Sequence, residues 1–265
     1  MPAMGRGVVG FVADLGAAAI GVAEEVGGIA ILALRVLRAL LSWPPSLDGP
    51  ELFRNLNKML VRSVPIVALT AFFTGGIMVI QSGIFVKRFA AQGLLGWGAG
   101  YSVFREVGPI LIGLMFSGRV GSNNAAELGT MTVTEQIDGL RALAIEPVRY
   151  LIVPRVLGMV IAMFWLVVIG DFVATGGGML FGKLLLHTEM ATFYHSLVDN
   201  LKPWDFLVGL IKSAMFGLAI ALTSCHFGTT VKGGAVGVGR AVNNAVVAAA
   251  VAILVADDLL TLVLK

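Results

Sequence analysis

The sequence predicts an all-α integral membrane protein with an N-terminal interfacial helix and five transmembrane helices. Hydrophobic residues make up 57% of the 265 residues and charged residues only 13%, too few charges to cover a soluble protein of this size. The mean hydropathy is +0.91, and 34 glycines suit membrane helices whose backbones pack closely. Apolar runs of about 20 residues also recur between charged segments, as transmembrane helices require.

Residues 1 to 63 are predicted to form an N-terminal region of interfacial helices. Residues 29 to 43 are apolar but include Arg35 and Arg38, which favours a helix that lies along the membrane surface. A secretory signal peptide is the alternative, but acidic residues interrupt the compact apolar core that such a peptide needs.

An amphipathic elbow is expected between the interfacial helix and the first span. After the prolines at 44 and 45, Arg54, Lys58 and Arg62 recur every four residues, opposite apolar side chains. This spacing places the basic residues on one face of a helix, with the apolar residues towards the membrane.

Residues 64 to 265 form the predicted membrane domain. Its spans are expected at roughly 64 to 86, 97 to 118, 151 to 182, 205 to 227 and 241 to 264. If the N-terminus is cytoplasmic, twelve of the 19 Lys and Arg residues lie inside, five outside and two within spans. Because Lys and Arg are enriched in cytoplasmic segments, we expect a cytoplasmic N-terminus and an extracytoplasmic C-terminus.

Charged residues within the spans mark candidate functional sites, since a charge in hydrocarbon costs about 3 kcal/mol or more. Arg105 and Glu106 in the second span predict either a polar cavity or an ion pair that reaches the headgroups. For Asp171, Lys212 and Asp257 in later spans, interhelical ion pairs are the main expectation and an ion relay is the alternative.

The segment from about 119 to 150 is the least apolar part of the membrane domain. Thr132 and Glu135 have the spacing of a capping box, which predicts a helix from there to about Leu143. Its pattern fits both a solvated connector and a helix that docks onto a cytoplasmic partner.

Other motifs exclude several functions. The glycine and lysine spacing that ends at Lys183 has Leu184 where a phosphate loop needs a hydroxyl, so no ATPase site is expected. Ser102 and His226 are predicted at opposite ends of their spans, which argues against a catalytic pair. A single cysteine, Cys225, excludes an intramolecular disulfide and predicts no metal cluster. No basic patch alternates with aromatic residues, so nucleic acid is not an expected partner.

Five short motifs lie between Arg105 in the second predicted span and Arg155 at the start of the third. They are Arg105-Glu106-Val107-Gly108-Pro109, Gly118-Arg119-Val120-Gly121, Ala126-Glu127-Leu128-Gly129, Thr134-Glu135-Gln136-Ile137-Asp138, and Pro147 followed by Pro154-Arg155. Together they resemble the MlaE (YrbE) permease family of bacterial ABC transporters that work with MCE proteins. The resemblance extends from the elbow to the last span. It departs at Ser122, Asn123 and Asn124, where smaller and more apolar residues are expected.

The resemblance implies a homodimeric permease in the bacterial inner membrane that moves phospholipids or related lipids between envelope membranes. Separate cytoplasmic ATPase subunits would bind ATP and Mg, and an MCE protein would lie on the outer side. This chain itself is expected to hold no cofactor. A stand-alone channel or secondary carrier that uses the buried charges is the alternative, although the sequence has no internal repeat.

The resemblance also implies two sets of site residues. Arg105 and Glu106 would lie near a lipid cavity at the dimer interface. Apolar residues of the first span are candidate contacts for lipid tails, with plain helix packing as the alternative: Phe72, Phe73, Ile77 and Met78. The helix from Glu135 to Leu143 would be the cytoplasmic coupling helix, and the residues expected to couple to the ATPase are Glu127, Thr134, Glu135, Gln136, Asp138 and Arg141.

Overall fold

The computed structural model describes residues 3–41, 49–88 and 92–264, and every regular element in these ranges is helical. The chain divides into two compact units, Met1–Pro45 and Ser46–Lys265. The first unit contains one helix, α1 (Ala3–Leu41). The predicted fold class, an all-α membrane protein, is confirmed.

Ten α-helices occur in the described residues of the second unit, 49–88 and 92–264, linked in part by short 3-10 and π-helical turns. The helices are α2 (Gly49–Met59), α3 (Val64–Arg88), α4 (Leu95–Ser102), α5 (Gly108–Phe116), α6 (Ser122–Val133), α7 (Gln136–Ala142), α8 (Val153–Leu186), α9 (Met190–Asn200), α10 (Pro203–Thr229) and α11 (Gly234–Val263). The 3-10 turns are Val61–Ser63 and Gln92–Leu94, and the π-helical turns are Val103–Val107, Ser117–Gly121 and Val148–Ile152.

Five helical segments of the described residues are long and apolar enough to cross a membrane. They are Ala13–Leu41, Leu52–Ile84, Val148–Leu186, Pro203–Thr229 and Gly234–Val263. The last four overlap most of the first, third, fourth and fifth predicted spans. Ala13–Leu41 lies in α1, so this helix has the length and composition for a crossing, and its predicted interfacial position stays a prediction. Residues 42 and 43 of that prediction lie outside the described residues.

The second predicted span, 97 to 118, lies within one helical rod. This rod, named the second rod, runs from α4 through α5 to the end of α6. Its α-helical geometry is interrupted by π-helical turns at Val103–Val107 and Ser117–Gly121. A π-helical turn holds one more residue than an α-helical turn and is frequent at functional sites. Both Arg105 and Glu106 lie in the first of these turns.

The rods of the second unit alternate in direction. At one end, Arg105 of the first π-helical turn contacts the start of α10 and the end of α11. At the other end, Lys58 of α2 contacts Glu127 of α6. Lys58 near the end of α2 and the end of α11 therefore lie at opposite ends of the second unit.

The connecting segments differ from the sequence prediction in two places. The predicted capping box at Thr132 and Glu135 is wrong, because α6 continues through Thr132, whose hydroxyl donates to the carbonyl oxygens of Leu128 and Gly228. Glu135 has a left-handed backbone with φ 59°, and the next helix begins only at Gln136. The helix α9 between the third and fourth spans was not predicted.

Helices α3 and α8 form the most extensive helix pair of the second unit. Two glycines allow their backbones to touch: a Cβ atom at Gly75 would lie 1.9 Å from the carbonyl oxygen of Ala174, and one at Gly177 would lie 2.2 Å from that of Phe72. Small residues permit this approach in membranes, where association depends on van der Waals packing.

We expect Gly177→Ala to separate α3 from α8 and to destabilise the fold by about 1 to 3 kcal/mol, the usual cost of overpacking. Gly176→Ala is the matched control, because nothing lies within 4 Å of its added methyl group and alanine favours a helix by about 1 kcal/mol. Thermal unfolding in detergent measures both. Equal unfolding temperatures for the two variants would contradict the proposed contact.

Candidate functional site

Arg105 links three rods at one end of the membrane domain. One guanidinium nitrogen donates to Asp205 Oδ1 at 2.8 Å, and the other donates to the carbonyl oxygen of Leu264 at 2.9 Å. The Tyr101 ring lies 5.6 Å from the guanidinium carbon, within cation–π range. Asp205 also accepts the backbone N–H of Lys202, which fixes the first turn of α10. The guanidinium therefore has a partner on α10, on α11 and on its own helix.

Glu106 belongs to a second network, centred on a fully buried lysine. Lys212 Nζ donates to Glu106 Oε2 and, at 2.8 Å, to Thr261 Oγ1, and it forms an ion pair with Asp257 Oδ1 at 2.9 Å. Lys212 lies about 14 Å along α10 from its first residue, roughly half of a 30 Å hydrocarbon core. A cation at this depth needs such partners, because an unpaired charge there is costly.

Arg105 and Glu106 are neighbours in sequence but do not pair with each other. The first contacts Asp205 and the second contacts Lys212. The π-helical turn that contains both residues widens the helix, and both side chains reach partners on α10 and α11. The expectation of an interhelical ion pair is met for Lys212 and Asp257.

Asp171 differs from the other buried charges. It is 2% exposed near the middle of α8, and neither carboxylate oxygen has a hydrogen-bond partner among the described residues. A cavity of about 10 Å³ lies beside it, lined in part by Thr70 and Thr74 of α3, which is room for about one water molecule.

A third polar network lies at the opposite end of the membrane domain. Glu127 of α6 accepts a hydrogen bond from Lys58 at 2.9 Å and forms an ion pair with Arg155 of α8 at 3.6 Å. Arg155 also donates to Asn124, which donates to Ser224 of α10 at 2.9 Å. These bonds connect the elbow, the second rod, α8 and α10.

The electrostatics of Glu127 follow from this position. Burial raises the pKa of Glu127, but the hydrogen bond from Lys58 and the charges of Arg155, Lys58 and Arg54 outweigh burial, so the pKa lies below its ordinary value of 4.5. The carboxyl group is therefore ionised at neutral pH and holds the two cations in place.

The other predicted coupling residues lie together on an exposed segment. Thr134, Glu135, Gln136, Asp138 and Arg141 are all exposed. Gln136 donates to Thr134 at 3.0 Å, and Arg141 donates to Asp138 at 2.7 Å, so their contacts are local. Glu127 is separated from this group, because its side chain is bound to the elbow and to α8.

An apolar surface accompanies these exposed polar residues. Leu143 is 73% exposed immediately after α7, whereas Ile137 is buried and attaches the short helix to the rest of the unit. Leu143 therefore adds one exposed apolar side chain to a mainly polar surface.

The predicted tail contacts on α3 divide into two groups. Phe72 packs with its ring 5.7 Å from that of Phe181 on α8, and Met78 packs against the buried clusters between α3, α4 and α8. Phe73 and Ile77 are 51% and 55% exposed. Within one chain, these residues are not brought together with Arg105 and Glu106, whose partners lie on α10 and α11.

Sequence reasoning missed the partners of the buried charges. Asp205 could have been predicted as the partner of Arg105. It is the first residue of the fourth predicted span, at the same end of the membrane where the Arg105 side chain requires a carboxylate. Thr261 gave no signal, since a single threonine in an apolar helix usually bonds to its own backbone, as Thr261 also does to the carbonyl of Asp257. Among the described residues, no group of three or more His, Cys, Asp or Glu side chains is placed to hold a metal ion.

Alternating helical rods joined by buried ion pairs at several depths define a multi-pass membrane protein with a polar interior. Residues 52–263 match the family described as Permease MlaE, and the chain belongs to this family. The resemblance seen in the sequence motifs is therefore confirmed.

Relatives from several lineages agree with this assignment. A probable ABC transporter permease protein of Rickettsia conorii is 39% identical over 239 residues, which cover 90% of this chain and 92% of that protein. The intermembrane phospholipid transport system permease protein MlaE of Haemophilus influenzae is 31% identical over 217 residues, covering 81% and 83%. The chloroplastic protein TRIGALACTOSYLDIACYLGLYCEROL 1 of Arabidopsis thaliana is 35% identical over 231 residues, covering 86% and 63%.

We expect Lys212→Met to destabilise the membrane domain by roughly 3 to 5 kcal/mol, because it leaves the buried carboxylate of Asp257 and the partly buried carboxylate of Glu106 without their cation. Neutralising both acids in the same chain, as Glu106→Gln and Asp257→Asn, should restore much of this loss. Unfolding temperatures in detergent provide the measurement. Lys183→Met, at an exposed position, is the control. If the neutral triple variant is no more stable than Lys212→Met, the loss comes from packing and not from unpaired charge.

The lowered pKa of Glu127 predicts a pH dependence of stability. A carboxyl group whose pKa is lower in the folded state contributes stability above its ordinary pKa, and this contribution disappears as the pH falls through the folded value. The stability difference between wild type and Glu127→Gln should therefore be largest near neutral pH and shrink below about 4.5. Thermal unfolding of both proteins from pH 7 downwards tests this. A difference that stays constant with pH would contradict it.

Proposed function

We propose that this chain is the permease subunit of an ATP-driven transporter that moves phospholipids between the membranes of a bacterial envelope. The observation that supports this most strongly is its membership of the MlaE permease family across residues 52–263. The phospholipid substrate is proposed by extension from the Haemophilus influenzae relative, whose name specifies intermembrane phospholipid transport.

The proposed lipid path uses both groups of residues predicted for it. A phospholipid needs cationic or hydrogen-bonding partners for its phosphate and an apolar wall for its tails. Arg105 can bind a phosphate through its planar guanidinium group if the phosphate replaces Asp205 or the carbonyl of Leu264. Phe73 and Ile77 present exposed apolar surface on α3.

A homodimer is part of the proposal because one chain leaves this path open. The guanidinium of Arg105 faces α10 and α11, whereas Phe73 and Ile77 are exposed on α3. A second copy of the chain against the exposed surface of α3 would enclose the tails. We propose that two copies assemble in the inner membrane, with the N-terminus in the cytoplasm and the C-terminus outside it.

ATP hydrolysis is assigned to a separate subunit that binds ATP and Mg. We propose that this ATPase docks on α7 and its flanking residues, since this short helix is attached to the unit by few contacts and presents charged and apolar groups. An MCE protein is the proposed partner at the opposite end. The pairing of Lys212 with Glu106 and Asp257 counts against a secondary carrier, because it occupies groups that an ion relay would use.

We expect the double variant Glu135→Lys, Asp138→Lys to lose the ATPase while retaining its fold, because both side chains are exposed and the reversal changes the charge of the proposed docking surface. The measurement is co-purification of a nucleotide-binding ATPase with the chain in mild detergent, followed by lipid transfer between vesicles after reconstitution. Glu189→Lys with Asp199→Lys is the matched control for the ATPase readout, because both side chains are exposed and lie at the start of α9 and within it. Undiminished co-purification and transfer in the α7 variant would refute the assignment of α7.

A further inference from the structure

A cavity of about 210 Å³ lies at the end of the membrane domain where the elbow meets the second rod. Its lining comes from α2, the following 3-10 turn, the second π-helical turn and α6: Lys58, Met59, Arg62, Arg119, Val120, Asn123, Asn124 and Glu127. Three cations and two amides therefore face a space that contains one carboxylate. This end of the domain is the predicted cytoplasmic end.

The carboxylate does not neutralise the cavity. Glu127 is bound to Lys58 at 2.9 Å and to Arg155 at 3.6 Å, so its charge is already matched by these two cations. Arg62 and Arg119 have no carboxylate partner among the described residues. Arg119 donates one hydrogen bond to the backbone carbonyl of Arg62 at 2.6 Å, which positions the two residues side by side and leaves further N–H donors of both guanidinium groups for a ligand.

One of the two amides extends this donor set. Asn124 is buried, and its amide nitrogen already donates to Ser224 at 2.9 Å and to Cys225 Sγ at 3.4 Å, while its oxygen accepts from Arg155. Asn123 is exposed at the cavity. Both belong to the short stretch in which the sequence departs from the smaller, more apolar residues expected there. At Asn123 this departure places an amide that can donate hydrogen bonds beside two arginines.

We propose that this cavity binds the phosphate group of an anionic phospholipid from the adjacent membrane leaflet. Guanidinium groups bind phosphate through parallel charge-assisted hydrogen bonds. A volume of about 210 Å³ is below the roughly 300 to 1,000 Å³ of sites that enclose a drug-sized ligand. It accommodates a headgroup but not the acyl chains.

The surroundings of the cavity favour a lipid over a soluble phosphate. Val61 in the 3-10 turn and Ile66 and Leu69 at the start of α3 are 57%, 40% and 61% exposed. Ile66 follows Arg62 by four residues, the spacing that aligns side chains on one helix face. Acyl chains that leave the cavity would lie along this apolar surface. The site is separate from the transport path around Arg105, and its test does not require transport.

The test uses the full chain in nanodiscs of phosphatidylcholine with an equal amount of phosphatidylglycerol. Native mass spectrometry counts the phosphatidylglycerol molecules retained by each chain. Asn123→Asp changes an amide to a carboxylate of the same shape at the cavity, and we expect it to weaken retention of one phosphatidylglycerol by about tenfold. Asn57→Asp is the matched control, because it adds the same charge to an exposed position on α2 outside the cavity lining.

Arg62→Gln combined with Arg119→Gln should abolish the same binding event, whereas Arg149→Gln at an exposed position of the same end should not. Retention unchanged in both Asn123→Asp and the folded double arginine variant would overturn the proposal.

Inorganic phosphate is added in excess as a second probe. If it displaces the phosphatidylglycerol from the wild type, the cavity is a site for soluble phosphate and the lipid assignment is wrong; retention in its presence supports a lipid site.

Discussion

Lys212 is a cation with no exposure to solvent, and the arrangement of the second rod, α10 and α11 depends on the groups that surround it. In hydrocarbon the hydrophobic effect does not hold helices together, because lipid tails are as apolar as the side chains they would replace. A buried ammonium group instead requires carboxylates and hydrogen-bond acceptors on neighbouring helices. Glu106, Asp257 and Thr261 must all stay within reach of Nζ, so the three rods have a fixed register at this depth.

The remaining polar contacts are arranged around this central network. Arg105 joins the same three rods at one end of the membrane domain, and Glu127 joins the elbow, the second rod and α8 at the other. Between them, α3 and α8 associate by a different principle, the direct contact of backbones at glycines. Glycine contact also occurs where α10 meets the second rod, since a Cβ atom at Gly209 would lie 2.0 Å from the carbonyl oxygen of Phe104. These rods are therefore held by both charge and shape.

The sequence was sufficient for the approximate positions of the first, third, fourth and fifth predicted spans, because each span is a local pattern of about 20 apolar residues. It also identified Arg105, Glu106, Lys212 and Asp257 as unusual, since the cost of a charge in lipid is a property of the single residue. The partners were not predictable in the same way. Arg105 binds Asp205 a hundred residues later rather than its neighbour Glu106, and such pairing depends on how the rods are arranged in space.

Local signals were also misleading where two structures fit the same spacing. Thr132 and Glu135 have capping-box spacing, yet Thr132 donates to Leu128 and Gly228 within a helix that has not ended. The unpredicted α9 has only 11 residues and lies between two strong apolar spans. Its helical form depends on packing against α4, which a one-dimensional pattern does not reveal.

The close contact of α3 and α8 has a mechanical consequence. Because backbone atoms of one helix fill the space where side chains of the other would be, at Gly75 and Gly177, the two helices cannot slide or rotate past each other without separating completely. They behave as a single rigid body. Any change of shape that opens and closes a path through the membrane must therefore place its hinge elsewhere, at the boundaries of this pair with the rods joined by ion pairs, where exchanging one hydrogen-bond partner for another permits movement.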